Sequence, residues 1–422
     1  MNKNYAPFYS LLFSTAILTV GNGLHNTLIS VRGDIENFSG TAIGVIGAFY
    51  YGGFLFGSFQ CSRIVKRAGH IRAFAAFASL ASVTPLIHGL FPNEILWMVL
   101  RSLSGFCFAG LFIIIESWLN EQATNETRGR LLSTYLVINS ISLTLGQLIL
   151  NLASPSGNTL FVLASILVSL SLLPLTLTKS IQPPHTARSK INLLSLWRMS
   201  PIGTAGCLAV GLISGSFWSL TPIFIRDSGL SIQTLSFFMS AFIFGGAISQ
   251  YPIGYLSDRI DRRWVIVFIT ACAAVAEITL VFFSGKTSEI VFLLMAFGLG
   301  IFSLSLYSIC IAQANDHTQK GDFVVVSGGL LVTFSIGAVI GPLINSTLML
   351  FVGSYVIFIY AAVVHSTLGL FVLVSIAKFS PIPPEERGEF VSLALTRTSP
   401  EPIKFDPRTK NLENNKEPQN KN

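Results

Sequence analysis

Twelve stretches of this chain are each long and apolar enough to cross a lipid bilayer, and that repetition constrains the fold more than any other feature. They run over residues 8–31, 41–62, 72–91, 95–118, 131–152, 158–178, 201–225, 232–256, 264–284, 289–312, 323–350 and 354–377. A helix needs about 20 mostly apolar residues to span the hydrocarbon core. Backbone polar groups inside the bilayer must be satisfied internally, so only helices and closed barrels can cross it. A barrel would show segments of alternating hydrophobicity, and the run Ile290–Leu299 does not alternate. Composition agrees: charged residues make up 11% of the chain and hydrophobic ones 51%, against about 25% charged in a soluble domain. The predicted fold class is an all-α membrane protein with twelve transmembrane helices.

The formal charge of +7 does not point to nucleic acid. The Lys and Arg residues sit in short loops between apolar segments, with no basic stripe on one surface. Their distribution predicts orientation instead. Even-numbered loops carry fourteen basic residues, and odd-numbered loops carry only Arg32, Arg226 and Lys286. Even-numbered loops and both termini are therefore expected in the cytoplasm. The first apolar run is too long for a cleaved signal peptide and lacks a small-residue cleavage site, so it reads as the first span. The five cysteines lie in or beside apolar runs without metal-ligand spacing.

Residues 179–200 form the longest internal loop, with Pro183-Pro184 and four basic residues. The expected organisation is a six-helix bundle over 1–178, a cytoplasmic linker over 179–200, a second bundle over 201–377 and a tail over 378–422. The tail carries eight basic and seven acidic residues among Pro and Asn; it cannot build a core and reads as disordered. The halves echo one another: Ala48-Phe49-Tyr50-Tyr51-Gly52-Gly53 in the second span parallels Ala241-Phe242-Ile243-Phe244-Gly245-Gly246 in the eighth.

Gly254-Tyr-Leu-Ser-Asp258-Arg259-Ile-Asp261-Arg262-Arg263 closely resembles the signature between the eighth and ninth helices of the major facilitator superfamily, with Asp261 in place of that pattern's second Gly. The copy after the second span is degenerate: it keeps Arg67 and Gly69, but Lys66 stands where the family has Asp. Arg101-Ser-Leu-Ser-Gly105 resembles the family's Arg-x-x-x-Gly motif in the fourth helix. Gly337-Ala-Val-Ile-Gly341-Pro342 is a Gly-x-x-x-Gly-Pro that the family more often carries in the fifth. Glu116-Ser-Trp-Leu-Asn120, Arg128-Gly-Arg130 and Tyr251–Asp258 look like a bacterial branch of that superfamily, the YcaD-like group. The resemblance covers residues 8–377. It implies two pseudo-symmetric six-helix bundles, a monomer, a bacterial inner membrane, and a central cavity lined by helices 1, 4, 7 and 10.

Small residues four apart let helices approach closely in lipid, which suits Gly52/Gly53, Gly245/Gly246 and Gly337/Gly341. Ionisable residues inside a span are costly and point to function. Here they are His25, Arg101, Glu116, Glu277 and His365. The cavity-lining helices favour the first three; Glu277 and His365 read as packing or lipid-interface residues. In the first span Thr15, Thr19, Asn22 and Asn26 recur at helical spacing, with His25 beside them. Expected cavity residues are Asn22, His25, Asn26, Arg101, Asn139, Trp218 and Tyr307, and expected proton carriers are His25 and Glu116. Arg101 and His25 are expected at a shared depth. Glu116 lies fifteen residues along its helix from Arg101, about 22 Å away.

The exchange of Asp for Lys66 predicts an exchanged latch: Lys66 or Arg67 with Asp316 or Asp322, and Asp258, beside Arg259, with Arg128 or Arg130. The reading is a secondary transporter of a small organic solute, working by alternating access and coupled to protons. No phosphate-binding Gly-x-x-x-x-Gly-Lys-[Ser/Thr] loop is present, no catalytic constellation is visible, and no cofactor or metal is expected. The alternative is a non-transporting membrane sensor or scaffold on the same fold. The expected partners are a small-molecule substrate, the lipid bilayer and protons.

Overall fold

The computed structural model describes residues 6–122, 128–177, 193–318 and 323–378, with isolated positions between 380 and 392. The first half comprises α1 (Ala6–Ile35), α2 (Gly40–Ala68), α3 (His70–Leu90), α4 (Glu94–Gln122), α5 (Arg128–Ile149), α6 (Thr159–Leu170) and α7 (Leu172–Thr176). A short helix, α8 (Leu193–Met199), precedes the second half: α9 (Pro201–Asp227), α10 (Ile232–Arg259), α11 (Arg262–Phe283), α12 (Glu289–Asp316), α13 (Phe323–Val352) and α14 (Val356–Lys378).

Among the described residues, eleven spans pass on length and apolarity alone. The first helix is 30 residues long but carries Asn22, His25 and Asn26 in its middle, which lower its hydropathy. The span expected as one helix over 158–178 runs over Thr159–Thr176, with its hydrogen bonding interrupted at Ser171, where the backbone keeps helical dihedrals (φ −60°, ψ −20°). Pro174 has no N–H and its ring crowds the preceding turn, and the carbonyl of Ser171 accepts from Ser14 Oγ across the bundle.

The same pairings recur in both halves. α2 packs on α4 and α1 on α5, as α10 packs on α12 and α9 on α13. Glycine makes these approaches possible: a Cβ on Gly53 would collide with the backbone of Ser102, and one on Gly105 with that of Tyr50. Gly245 lies against Phe297, Gly337 against Leu208 and Gly341 against Leu212 in the same way. Gly52 departs from the expectation, because a Cβ there would meet nothing within 4 Å. Gly69 has φ +83° and both ends α2 and starts α3, a backbone that L side chains rarely adopt. Phe56, Leu80, Val137, Phe244, Phe268 and Leu370 stand exposed around the outside. A water-facing surface would not carry such a belt; a lipid-facing one does.

The halves meet tightly at one end of the bundle. Arg226, at the end of α9, pairs with Asp34 near the end of α1. Ser236 donates to the carbonyl of Gln147 at 2.6 Å, and Asn151 donates to Ser236 at 2.9 Å. Gly44 of α2 faces Ser346 and the carbonyl of Pro342 on α13.

Candidate functional site

A central cavity lies where α1, α2, α4 and α5 of one half face α9 and α13 of the other. Its polar wall is built by two helical repeats. Asn22 and Asn26 are one turn apart on α1, and the Asn26 amide donates to Asn22 Oδ1 at 3.2 Å. Arg101 and Gly105 are one turn apart on α4. Because Gly105 lets the α2 backbone come close at Tyr50, the Tyr50 ring lies over the Arg101 guanidinium, 4.2 Å from its carbon. The Tyr50 ring lines the same space as Asn22 and Asn26. Gln147 closes one side, accepting from Thr27 at 2.7 Å and donating to the Gly23 carbonyl at 3.2 Å. Trp218 comes from the opposite half.

Arg101 is the unusual member. It is 5% exposed, and its Nε and Nη1 have no hydrogen-bond partner among the described residues. Burying a cation without a paired anion is costly, so a π face is only part of what this guanidinium can accept. Asn26, Tyr50, Arg101 and Trp218 each lie seven to ten residues in from the tight end of their helices, at a common depth of roughly 11–15 Å. That is near the middle of a hydrocarbon core of about 30 Å. The open space is small, about 70 Å³, room for only a few waters.

Four of the seven expected cavity residues are brought together: Asn22, Asn26, Arg101 and Trp218. The other three lie elsewhere. His25 is one residue, hence about 100° of helix, from Asn26. It turns toward α3, its ring 5.1 Å from that of His88 and 6.3 Å from that of Phe161. Asn139 shares the face of Leu143 and Gln147, but lies about 12 Å nearer the start of α5 than Gln147; its amide is buried without a partner among the described residues. Tyr307 stands behind the cavity wall, its ring 5.4 Å from that of Phe334, which does line the space. Tyr50 and Gln147 were not expected there. Tyr50 belongs to a helix outside the expected lining set, and its place depends on the approach at Gly105.

Glu116 is buried toward the other end of α4, where it accepts from the Tyr135 hydroxyl at 2.9 Å. Glu277 and His365 form a buried pair at 3.0 Å between α11 and α14. Lys66 and Arg67 are exposed. Asp258 and Asp316 both bind Arg262. Arg262 also donates to the carbonyl of Gly388, whose N–H donates to Asp316 at 3.0 Å. Phe390 N–H donates to Asp258 at 3.2 Å, and its ring rests on Gly254. Two described positions of the tail are thus docked on the signature, a contact its composition does not foretell. Arg259 instead lies over Tyr255, 4.3 Å from the ring centre. Asp322 and the side chains of Arg128 and Arg130 lie outside the described residues, as does most of the tail.

Two bundles related by repetition, with a polar cavity between them, define a membrane transporter fold. The family profile of the Major Facilitator Superfamily matches residues 11–238 and 204–411, and the chain belongs to that superfamily. Among its relatives is the MFS-type transporter YcaD of Escherichia coli (strain K12 / DH10B), 27% identical over 391 residues that cover 91% of this chain and 99% of the relative. YcaD of Escherichia fergusonii is 26% identical over 361 residues, covering 84% and 92%. Among solved structures, the nucleoside transporter NupG superposes with a TM-score of 0.73 at 12% identity, covering 90% of this chain and all of that one. A bacterial homologue of the human lysosomal transporter Spinster, in an inward-facing and occupied conformation, gives 0.72 at 14% identity, covering 92% and 99%. These likenesses agree in fold.

Proposed function

We propose that this chain is a secondary transporter that carries a small organic solute with an anionic group by alternating access across a bacterial inner membrane. The observation that carries the reading is Arg101. It is a buried guanidinium with two unpartnered nitrogens, held under Tyr50 at mid-depth in the cavity where the halves meet. A carboxylate or phosphate would satisfy those donors. Asn22, Asn26 and Gln147 would take the solute's neutral polar groups, and Trp218 its apolar part. Repeat-built transporters bind near the midplane between their halves, because rocking of one half against the other then exposes the same site to either side. The loop charges support an orientation in which the Asp34–Arg226 end faces outward and both termini are cytoplasmic. In that orientation the outer side is the tightly closed one.

Proton coupling is the second part of the proposal, with Glu116 and His25 as carriers. Glu116 faces Tyr135, and His25 backs the Asn22–Asn26 wall. The cytoplasmic latch belongs to the opposite state. When that side closes, Lys66 or Arg67 would approach Asp316, and Arg128 or Arg130 would approach Asp258. Both carboxylates would first have to loosen from Arg262 and the tail.

The test is uptake of radiolabelled monocarboxylates and organic phosphates by purified protein in liposomes. Uptake that saturates, falls sharply in Arg101→Ala and survives partly in Arg101→Lys supports the reading. Uptake indifferent to Arg101→Ala overturns the assignment of Arg101. Failure of every solute class to enter overturns the anionic substrate.

A further inference from the structure

A second cavity, of about 620 Å³, opens at the far end of the C-terminal bundle and shares no lining residue with the central one. Five cations line it (Arg198, Arg262, Arg263, Lys378 and Arg387) against two carboxylates, Asp261 and Asp316. The carboxylates are already engaged. Asp316 pairs with Arg262, and Asp261 pairs with Arg263 at 2.7 Å. Arg387 stands near enough to Asp261 to favour its carboxylate form. Arg198 and Lys378 remain, facing the opening without a carboxylate partner among the described residues.

The cavity's position says what could meet those two charges. Lys378 is the last residue of α14, so it stands where a spanning helix leaves the bilayer. Below it on the same face, at helical spacing, come Val374 and Phe371, and Val374 is 52% exposed. On the other side, α8 presents Leu193, Leu194 and Trp197 outward and buries Leu196, the pattern of a helix lying in the interface plane. The Trp197 ring tilts over that of Phe371, with centroids 6.1 Å apart. One opening thus joins a cationic rim to an apolar wall that runs down into the lipid.

From this we infer that the cavity is a binding site for an anionic phospholipid. The phosphate is held between Arg198 and Lys378, the glycerol region lies on Trp197, and an acyl chain follows Phe371 and Val374. A small soluble phosphate fits the rim but has no use for the apolar wall. A zwitterionic lipid brings an ammonium that finds both carboxylates taken. The site therefore selects for a headgroup with net negative charge. Because α8 packs on α9 and α13, a lipid here also fastens this end of the linker to the moving C-terminal bundle.

The experiment uses the full-length protein, stripped of co-purified lipid in detergent. Phosphatidylglycerol, phosphatidylcholine or inorganic phosphate is added, and binding is read by native mass spectrometry and by the unfolding temperature. The expected result is retention of phosphatidylglycerol with a raised unfolding temperature, and little effect of the other two. Each interfacial cation contributes comparably to attraction of anionic lipid, so Arg198→Gln with Lys378→Gln should weaken retention by about 30-fold. Both side chains are exposed, so the double variant should fold, and Arg63→Gln with Lys286→Gln, both exposed and away from this cavity, serves as the control. Equal retention of phosphatidylcholine, equal protection by inorganic phosphate, or unchanged retention in the double variant overturns the proposal.

Discussion

Adding bulk at Gly44 should wedge the outer side of the transporter open. Gly44 lies at the start of α2, where that helix meets α13 of the other half. A Cβ built there collides with the Ser346 side chain and stands 2.8 Å from the carbonyl oxygen of Pro342. Ser346 Oγ could rotate away, but Ser346 Cβ and the Pro342 carbonyl, both fixed by the α13 backbone, cannot turn aside. Overpacking of this kind costs about 1–3 kcal/mol. The clash exists only while the halves touch at this end, so the cost falls on the closed state alone. Gly44→Leu should therefore shift the equilibrium toward the outward-open state by about 5- to 150-fold. Gly52→Leu is the matched control, because it lies on the same helix with open space around it. The assay is labelling of a single cysteine at Ser219, on the cavity wall, in a background without the five native cysteines. An impermeant maleimide is applied to one side or the other of oriented vesicles. Faster labelling from the outer side in Gly44→Leu, with Gly52→Leu unchanged, is expected. Equal labelling in a folded Gly44→Leu protein would refute both the tight contact and the assignment of the closed side.

Four further outcomes follow from named contacts. Tyr50→Leu removes the ring over Arg101 and should weaken solute binding several-fold, a cation–π contact being worth about 0.5–2 kcal/mol; Tyr50→Phe, which keeps the ring, should cost less, as read by equilibrium binding. Glu116→Gln should abolish accumulation against a gradient while exchange continues; normal accumulation would place coupling elsewhere. Phe390→Ala should loosen the tail from Gly254 and Asp258 and raise the protection of inner-cavity cysteines as the cytoplasmic side closes more readily; unchanged protection would show that the tail does not bias the states. Burial pushes the Asp261 carboxyl up, but its bonds to Arg263 outweigh that and hold it below the ordinary carboxylate range. Its contribution is thus complete above the unfolded-state value and is lost as pH falls through the depressed one. Asp261 also caps α11 by accepting from Arg263 N–H, so Asp261→Ala should cost about 1 kcal/mol near neutral pH and progressively less in acid, as followed by thermal unfolding.

The spans were legible in the sequence because hydropathy is a local property: about 20 apolar residues in a row have one stable place, whatever surrounds them. The polar face of α1 was legible for the same reason, since Asn22 and Asn26 must share a side once the helix forms. The side on which His25 lies was decided by its neighbours, because helical periodicity orders residues around an axis without saying which helix stands opposite. Only the packed bundle turned His25 toward His88 and left Asn26 on the cavity. The Arg-x-x-x-Gly motif was visible as a pattern, yet its effect depended on Gly105 admitting the backbone of Tyr50, a residue 55 positions earlier on another helix. The tail shows the same division. Its composition says that it cannot build a core of its own, and that is a local inference. Gly388 and Phe390 dock because Arg262, Asp258, Asp316 and Gly254 converge from α10, α11 and α12, and only the tertiary structure brings those groups within reach of one backbone segment.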